Sequence, residues 1–346
     1  MIIRISGILL LLISITSCQP QPEKPFQRQI ISFGTTVDVT LYGVTQEKAD
    51  KAIDQIEEQL NIMHSRWHAW RKSSLTKLNQ QLISGLPFKA DDGILPLVKE
   101  SQLLYVQTHG LFNPAIGKLI ELWGFYKDNP QDNKSIPPDE KIQLLLKSNP
   151  NMSDIQITGN IVKGNNSDLQ LDFGGYAKGY GVDRLVEQLQ EQGIQNALIN
   201  AGGDLRAIGS PGNRAWKIAI QHPEQEEALG WLALNGDESV FSSGNYQRTF
   251  SKDGKNYHHI IDPKTGYPSD HAVAATVIHN NGAIADATAT ALMVASADQW
   301  LTIAKNTGLK HFMVIDKDGQ LYGDQLLAER LILSDKKMKI TILGTL

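Results

Sequence analysis

The stretch ALINAGGDLRAI, residues 197–208, decides the fold class of this 346-residue chain. Two short runs of apolar residues flank a Gly-Gly pair, a pattern that predicts a strand on each side of a turn. Further strands are predicted at residues 216–220, 232–234 and 240–242, before the next helix begins. Strands that follow one another in this way favour a mixed α+β fold over the strict βαβ alternation of a doubly wound sheet. We therefore predict largely antiparallel sheets with packed helices.

Strands and helices are also mixed in the rest of the chain. Residues 29–43 alternate and are rich in β-branched side chains, which predicts a strand or a hairpin. Apolar residues recur with helical spacing through residues 46–64, which predicts an amphipathic helix, whereas the aromatic-rich residues 65–79 are predicted to be irregular. Further helices are predicted at 93–108, 115–123, 139–147, 176–192, 282–295 and 297–305, and further strands at 155–161, 169–173, 258–261, 272–279, 310–315 and 331–343.

The size and charge of the chain restrict its class. With 346 residues it is long enough for one large domain or two ordinary ones. Hydrophobic residues make up 41% and charged residues 20%, which is typical of a folded globular protein. The formal net charge is -4 and no basic cluster stands out, so nucleic-acid binding has no electrostatic support.

The first residues of the chain differ from the rest. Arg4 provides a positive charge before the apolar run 8–13, which is too short to span a bilayer comfortably. The run leads to Ile15-Thr-Ser-Cys18, which is similar to the bacterial lipobox, where a lipid is attached to the cysteine and cleavage occurs just before it. Because Cys18 is the only cysteine, no internal disulfide can form. The alternative is an ordinary secretory signal peptide that ends near a cysteine.

This pattern predicts three segments. They are a lipoprotein signal peptide at residues 1–17, a Pro-rich tether at 18–25 and a single folded domain at 26–346. The tether contains three prolines and is expected to be stiff and solvated. Lipidation of Cys18 would hold the domain on the periplasmic side of a bacterial membrane. Gln19, in place of an aspartate after the cysteine, favours the outer membrane of a Gram-negative host.

A candidate metal site lies in Asp286-Ala-Thr-Ala-Thr290, within the predicted helix 282–295. Residues four positions apart share one face of a helix, so the carboxylate of Asp286 and the hydroxyl of Thr290 point the same way. Oxygen ligands suit Mg²⁺ or Ca²⁺ rather than zinc or copper. The alternative is an alanine-rich packed helix with a polar edge, since such pairs often arise by chance.

A candidate anion site lies in Asp172-Phe-Gly-Gly-Tyr-Ala-Lys178, where a predicted strand meets a predicted helix. Free amides at the start of a helix attract phosphate, and Lys178 would add a positive charge in the first turn. The spacing matches neither a Walker A loop nor a dinucleotide-binding fingerprint. A tight turn with an exposed lysine is equally compatible with it.

Histidines provide the third candidate group. His259 lies three residues before an Asp-Pro turn, which makes it a candidate general base, although a strand-end histidine beside a capping aspartate is the alternative. His64 and His68 have the spacing of a zinc pair, but the sequence suggests no third ligand. Aromatic residues beside glycines or turns could line a ligand pocket or belong to the core, namely Phe33, Trp70 and Phe112.

Together these motifs resemble the ApbE family, the FAD:protein FMN transferases that attach flavin to other proteins. The resemblance covers nearly the whole chain after the tether, and the motifs occur in the order that the family shows. They are Phe33-Gly-Thr35, Ser74-Leu-Thr-Lys-Leu-Asn79, Gly110-Leu-Phe-Asn-Pro114, Leu122-Trp-Gly-Phe125, the segments 172–180, 201–204, 243–246 and 259–268, and Ala285-Asp-Ala-Thr-Ala-Thr-Ala-Leu292. The implied fold is ApbE-like or T-fold-like.

The resemblance implies roles for single residues. Asp286 and Thr290 match ligands of Mg²⁺, as does the backbone carbonyl of Gly175, and His259 matches the histidine implicated in catalysis. The positions that contact FAD are matched by Phe33, Trp70, Leu111, Phe112, Asn113, Asp172, Lys178 and Ile261. Phe33 stands where Met is usual in the family, and Asn113 stands where Asp is frequent.

The resemblance also implies the reaction. FMN would pass from FAD, the substrate, to a threonine hydroxyl of an extracytoplasmic redox protein, with Mg²⁺ as cofactor and AMP as the other product. The expected acceptor is a subunit of a sodium-pumping quinone reductase or a related electron-transfer complex, with a short threonine-containing motif. Two alternatives are a Mg²⁺-dependent FAD pyrophosphatase that releases FMN and AMP, and a non-catalytic FAD-binding lipoprotein.

Overall fold

The computed structural model describes residues 24–127, 129–132, 135–234 and 236–346. Cys18 and the predicted signal peptide lie outside these residues, so the division into signal peptide, tether and domain stays a prediction. Within the described ranges, no helix combines the length and the apolar character that crossing a bilayer requires.

The described residues contain nine α-helices, which are named here in chain order. They are α1 (Gln46–Trp67), α2 (Ser74–Leu82), α3 (Leu95–Gln107), α4 (Gly117–Leu122), α5 (Asp139–Ser148), α6 (Ala177–Glu191), α7 (Gly282–Val294), α8 (Trp300–Asn306) and α9 (Gln325–Arg330). Two short 3₁₀ helices lie at Pro130–Asp132 and Met152–Asp154.

The same ranges contain seventeen strands. They are β1 (Phe26–Ser32), β2 (Thr35–Leu41), β3 (Phe88–Lys89), β4 (Ile155–Thr158), β5 (Ile161–Gly164), β6 (Ala197–Ala201), β7 (Asp204–Ile208), β8 (Trp216–Gln221), β9 (Ala228–Leu234), β10 (Glu238–Gly244), β11 (Thr249–Lys252), β12 (Lys255–His258), β13 (Ala272–His279), β14 (His311–Asp316), β15 (Leu321–Asp324), β16 (Ile332–Leu333) and β17 (Ile340–Gly344).

A nine-stranded sheet organises the domain, with the strand order β1-β2-β6-β7-β10-β13-β14-β15-β17. In the part of the chain described, its neighbouring strands are antiparallel except β15 and β17, which are parallel. Smaller sheets combine β16-β9-β8, β3-β5-β4 and β11-β12. Strands β6 and β7 pair around the Gly202-Gly203 turn, as the stretch 197–208 indicates. The predicted α+β class is confirmed.

Both faces of the large sheet are buried. On β13, Val277 packs into a core that also contains buried residues of α1, α6 and α7, whereas Ile278 packs into a second core with residues of β8 and β9. Side chains of successive strand residues point to opposite faces, so these two clusters lie on the two sides of the sheet. Helix α7 is buried along most of its length, which explains why apolar residues surround its polar positions.

Helices α6 and α7 cross at very short range. A side chain at Gly179 would collide with the carbonyl oxygen of Gly282, and one at Gly282 would come within 2.9 Å of the carbonyl oxygen of Gly179. Both positions therefore need glycine because no Cβ atom fits between the two backbones. This contact fixes how the first turns of the two helices face each other.

The region 65–79 is more regular than predicted. Helix α1 continues to Trp67, and α2 begins directly after Ser73. The hydroxyl of Ser73 accepts a hydrogen bond from the Thr76 amide at 3.0 Å, and the Thr76 hydroxyl accepts one from the Ser73 amide at 2.9 Å. This reciprocal capping box starts the helix, so only residues 68–73 are irregular.

Some predicted strands are wrong. Residues 169–173 form only an isolated bridge, between Gln170 and Ile116, and β12 ends at His258, so that 259–261 is not a strand. The predicted strand 331–343 is divided into β16 and β17. Strand β15 and helix α9 were not predicted, since both are very short.

Candidate active site

A cavity of about 750 Å³ lies beside the first turn of α6 and beside Asp286 and Thr290 of α7. Its volume is within the range of small-molecule and cofactor sites. The structure brings all the predicted metal, flavin-contact and catalytic residues to its wall, namely Phe33, Trp70, Leu111, Phe112, Asn113, Asp172, Gly175, Lys178, His259, Ile261, Asp286 and Thr290.

The two predicted metal ligands lie one turn apart on α7. This helix starts regularly, because the side chain of Asn281 accepts a hydrogen bond from the Ile284 amide at 2.7 Å. Gly175 approaches the same place from the loop before α6, and a Cβ atom there would lie 3.0 Å from the Thr290 hydroxyl. A carboxylate, a hydroxyl and a backbone segment thus line the same cavity, and such oxygen donors suit Mg²⁺.

The electrostatics around Asp286 also fit a bound cation. One carboxylate oxygen accepts a hydrogen bond from the Gly179 amide at 2.9 Å. Burial raises the pKa of Asp286 above its ordinary value, and the nearby Lys178 ammonium opposes this shift. Lys178 is itself ion-paired with Asp204, so its charge is shared between two carboxylates. The negative charge of this buried carboxylate is thus only partly balanced by the Gly179 amide and Lys178. A divalent cation stabilises a group of this kind.

Asp204 ends the motif 201–204 at the Gly-Gly turn of the opening stretch, but the sequence indicates no role for its side chain. Besides pairing with Lys178, it accepts a hydrogen bond from the Ser242 amide at 2.9 Å. Asp204 therefore fixes Lys178 against the end of β10, beside the cavity. Of the two alternatives that the spacing left open for Lys178, the structure favours the one near a ligand site, because the lysine is partly buried and lines the cavity.

His259 is half-buried and has a defined orientation. Its Nδ1 lies 3.2 Å from the carbonyl oxygen of Gln247, which can only accept, so Nδ1 carries the proton. This leaves Nε2 as the ring atom that can accept a hydrogen bond. Burial, reinforced by the positive charge of Arg248, lowers the pKa of His259 to about 3. The imidazole is therefore neutral at physiological pH.

Phe33 forms part of the aromatic wall of the cavity. It occupies a left-handed conformation with a φ of 51°, in the two-residue turn between β1 and β2. Such a conformation is strained for a bulky residue and is concentrated at functional sites. Its ring is stacked on Trp67, with the ring centroids 6.1 Å apart and the planes 9° from parallel.

Trp70 and Asp172 form a second part of the wall. The indole Nε1 of Trp70 donates to one oxygen of Asp172 at 3.0 Å, and the Gly174 amide donates to the other at 2.7 Å. Burial raises the pKa of Asp172, and these hydrogen bonds oppose the shift. The Trp70 ring also contacts Tyr126, with the centroids 5.4 Å apart. The indole is thus fixed from two sides.

The loop 111–113 provides a buried apolar segment. The amide of Asn113 donates to the Pro150 carbonyl at 3.1 Å, and its oxygen accepts from the Ala115 amide at 3.1 Å. The side chain of Asn113 thus holds the loop in shape at the cavity wall. Ile261 lies buried on the wall and forms an isolated bridge with Pro268.

His64 and His68 also line the cavity, with their rings edge-on and the centroids 5.8 Å apart. Nδ1 of His68 accepts hydrogen bonds from the amides of Trp70 and Arg71, both at 3.1 Å. Within the described residues there is no group of three or more His, Cys, Asp or Glu side chains that could hold a metal ion.

Comparison with known proteins gives consistent results. A family model described as the ApbE family matches residues 33–313. An FAD:protein FMN transferase of Rhodobacter capsulatus is 37% identical over 299 residues, which are 86% of this chain and 57% of that protein. The chain therefore spans less than two thirds of that relative. The enzyme of the same name from Vibrio cholerae is 31% identical over 308 residues, 86% of this chain and 90% of that protein.

Solved structures show the same relationship. The ApbE protein of Thermotoga maritima has a TM-score of 0.81 at 26% identity, over 89% of this chain and 99% of that one. The flavin transferase ApbE from Vibrio cholerae has a TM-score of 0.75 at 28% identity, over 88% of this chain and 98% of that one. The predicted ApbE-like fold is confirmed.

Proposed function

The chain belongs to the ApbE family, and from this premise we propose that it is an FAD:protein FMN transferase that acts with Mg²⁺. It transfers FMN from FAD to a threonine hydroxyl of another protein and releases AMP. One observation carries the proposal: the oxygen donors of Asp286 and Thr290, the cation of Lys178 and the neutral imidazole of His259 line one cavity.

The two kinds of wall in the cavity fit the two parts of FAD. Aromatic rings of Phe33, Trp70 and Phe112 provide flat apolar surfaces for a ring system. Lys178, in the first turn of α6, adds its positive charge to the partial positive charge of that helix end, and together they suit a pyrophosphate. FAD is therefore bound with its charged centre beside Asp286.

Two positive charges in the site would stabilise the phosphate oxygens during the reaction. Bound Mg²⁺, held by Asp286, Thr290 and the backbone of Gly175, would neutralise the charge that develops on the phosphate oxygens. Lys178, fixed by Asp204, provides a second positive charge there. Positioning and charge neutralisation account for most of the acceleration in reactions of this kind.

His259 acts as the general base for the acceptor hydroxyl. Nε2 accepts the hydrogen of the acceptor hydroxyl as that oxygen bonds to the FMN phosphorus, and the bond between this phosphorus and the oxygen shared with AMP breaks. The proton on His259 is later released to solvent. The negative pyrophosphate offsets the charges of Arg248 and Lys178, which lower the pKa of His259. Imidazole thus becomes a stronger base once FAD is bound.

We also propose the cellular setting. The Ile15-Thr-Ser-Cys18 sequence and the Pro-rich segment after it support a lipid on Cys18 and a tethered domain on the periplasmic side of the membrane. A redox subunit with a short threonine-containing motif on that side is then the acceptor, such as one from a quinone reductase or a related electron-transfer complex.

Mass spectrometry tests the proposed function. The full-length protein is incubated with FAD, Mg²⁺ and a candidate acceptor, and we expect the acceptor to gain the mass of FMN minus water. Omission of Mg²⁺, Asp286→Asn and His259→Gln should each abolish this gain. FMN and AMP without an adduct would favour the pyrophosphatase, and intact bound FAD without turnover would favour the carrier. Either result across a panel of acceptors would contradict the transferase.

A further inference from the structure

We propose that Asp183 is a positioning residue, which together with Arg206 holds α7 in the place where Asp286 and Thr290 can share a metal ion with Gly175. The role rests on the proposed metal site, but neither Asp183 nor Arg206 is among the residues that line the cavity.

Asp183 is attached to the start of α7 by two hydrogen bonds. Its carboxylate accepts from the Gly282 amide at 2.8 Å and from the Ala283 amide at 3.0 Å. Asn281 accepts from the next amide, that of Ile284, at 2.7 Å. The first amides of a helix have no partners within the helix and carry a partial positive charge, so a carboxylate there stabilises the helix end. Asp183 belongs to α6, and it therefore connects one helix to the other.

Arg206 connects Asp183, and through it helices α6 and α7, to the large sheet. From β7, it donates to Asp183 at 2.5 Å, and its other nitrogens donate to both oxygens of Asp237 at 2.9 and 2.8 Å. Asp183 and Arg206 are both buried, with exposed fractions of 4% and 8%. Burial raises the pKa of Asp183, and the Arg206 guanidinium opposes the shift. A buried carboxylate needs such a partner to remain charged.

The same helix also contacts the metal ligand itself. The Gly179 amide, one turn before Asp183 on α6, donates to Asp286 at 2.9 Å. The close Gly179–Gly282 crossing fixes the two backbones between these contacts. Gly175 lies two residues before α6. A displacement of α7 relative to α6 would therefore separate Asp286 and Thr290 from Gly175. Partners of this kind typically change metal affinity by about 10- to 100-fold.

Asp324 offers a matched control. Like Asp183, it is a buried aspartate that accepts from an amide in the first turn of a helix, here Leu327 of its own helix α9 at 3.0 Å, and it also accepts from the Phe312 amide of β14 at 2.9 Å. It also has a basic partner, His311, at 3.1 Å. Asp324 is not among the residues of the cavity wall. Its replacement should therefore disturb the fold to a similar degree without reaching the metal ligands.

The test compares Asp183→Asn with Asp324→Asn in the full-length protein. Asparagine keeps the size of the side chain but loses the charge and one acceptor oxygen. Mn²⁺ is titrated in the presence of FAD without acceptor, and the EPR signal of free Mn²⁺ is measured. We expect Asp183→Asn to raise the dissociation constant by about 10- to 100-fold, while Asp324→Asn leaves it unchanged. Excess Mg²⁺ should restore turnover to Asp183→Asn.

The outcomes separate the possible failures. A wild-type Mn²⁺ affinity in Asp183→Asn, with a loss of stability like that of Asp324→Asn, would overturn the positioning role. If Asp183→Asn does not fold, Arg206→Lys provides the milder change, because lysine cannot bridge both aspartates, and the dissociation constant should still rise. No Mn²⁺ binding by the wild-type protein would overturn the metal site itself, and this role with it.

Discussion

At the scale of single residues, the state of His259 determines what the cavity can do. A histidine with the ordinary pKa would be partly protonated near pH 6.5, and the protonated fraction could not accept a proton. Burial and Arg248 keep the ring neutral well below that pH, and the Gln247 carbonyl orients it with Nε2 as the acceptor. The sequence indicates the candidate base, but its neutrality depends on burial and on a charge eleven residues away.

The pKa of His259 predicts a dependence of stability on pH. His259 becomes protonated below about pH 6.5 in the unfolded chain but only near pH 3 in the folded protein. The contribution of neutral His259 to the free energy of unfolding is therefore fully present above pH 6.5 and is lost as the pH falls toward 3. Urea unfolding should show that, between about pH 7 and about pH 5, the free energy of unfolding falls by roughly 1 kcal/mol less in His259→Gln than in the wild type. The expected difference is small because solvent partly screens the half-buried ring. Equal slopes for His259→Gln and the wild type would refute this prediction.

The burial of Asp286 predicts that replacing it will preserve or increase the stability of the protein but reduce its activity. Asp286→Asn removes a buried charge whose pKa is raised, so the free energy of unfolding without metal should stay the same or increase. Turnover should fall at least about 100-fold, since charge stabilisation by a metal ion is worth several kcal/mol. Urea unfolding and AMP release measure the two effects. Full activity in this variant would exclude Asp286 as a metal ligand.

Residues of the candidate site differ in how far the sequence reveals them. Asp286 and Thr290 are four positions apart, so helical geometry alone places them together. Asp204, Asp183 and Arg206 come from other elements, and only the folded chain shows that they meet Lys178 and the start of α7. Ion pairs over long sequence distances leave no periodic pattern.

At the scale of elements, the crossing of α6 and α7 is the decisive contact. Both helices have long, regular patterns and were predicted with small errors at their ends. The crossing itself depends on two glycines, whose role becomes clear only when the backbones are placed together. Strand β15 and helix α9, of four and six residues, give too short a pattern for prediction.

Gly179→Ala tests this crossing. Helix propensity alone predicts stabilisation, by up to about 1 kcal/mol, because alanine is the better helix former. The crossing predicts the opposite, since the new methyl group would collide with the carbonyl of Gly282 and lie 2.8 Å from Cβ of Asp286. We expect a loss of about 1–3 kcal/mol in the free energy of unfolding, together with weaker Mn²⁺ binding. A more stable variant with normal Mn²⁺ binding would show that the helices are not so closely packed.

At the scale of the whole molecule, the large sheet supports the cavity from one side. Its antiparallel strands bring the turn at 33–34 and Gly202 of the β6–β7 turn to the cavity wall, and its central strands support α7. The α+β class follows from the succession of strands in the sequence. The strand order does not follow, because β2 pairs with β6 across more than 150 intervening residues, and pairing over that distance has no local signal.

Cys18→Ser tests the link between the anchor and the folded domain. The variant should carry no lipid and should be recovered in the soluble fraction, because the thiol is the proposed attachment site. FMN transfer to an added acceptor should remain within about twofold of the wild type, since the domain has a core of its own. Metabolic labelling with palmitate measures the lipid. Labelling that persists in the variant would refute the anchor at this position.

The ratio of the two products tests the central claim most directly. The full-length protein is supplied with FAD, Mg²⁺ and an acceptor, and AMP and flavinylated acceptor are quantified over the same interval. If the cavity activates a protein hydroxyl for attack on FAD, each AMP released should be matched by one FMN attached to a threonine. AMP produced together with free FMN, with the acceptor unmodified, would contradict the transferase and identify water as the nucleophile.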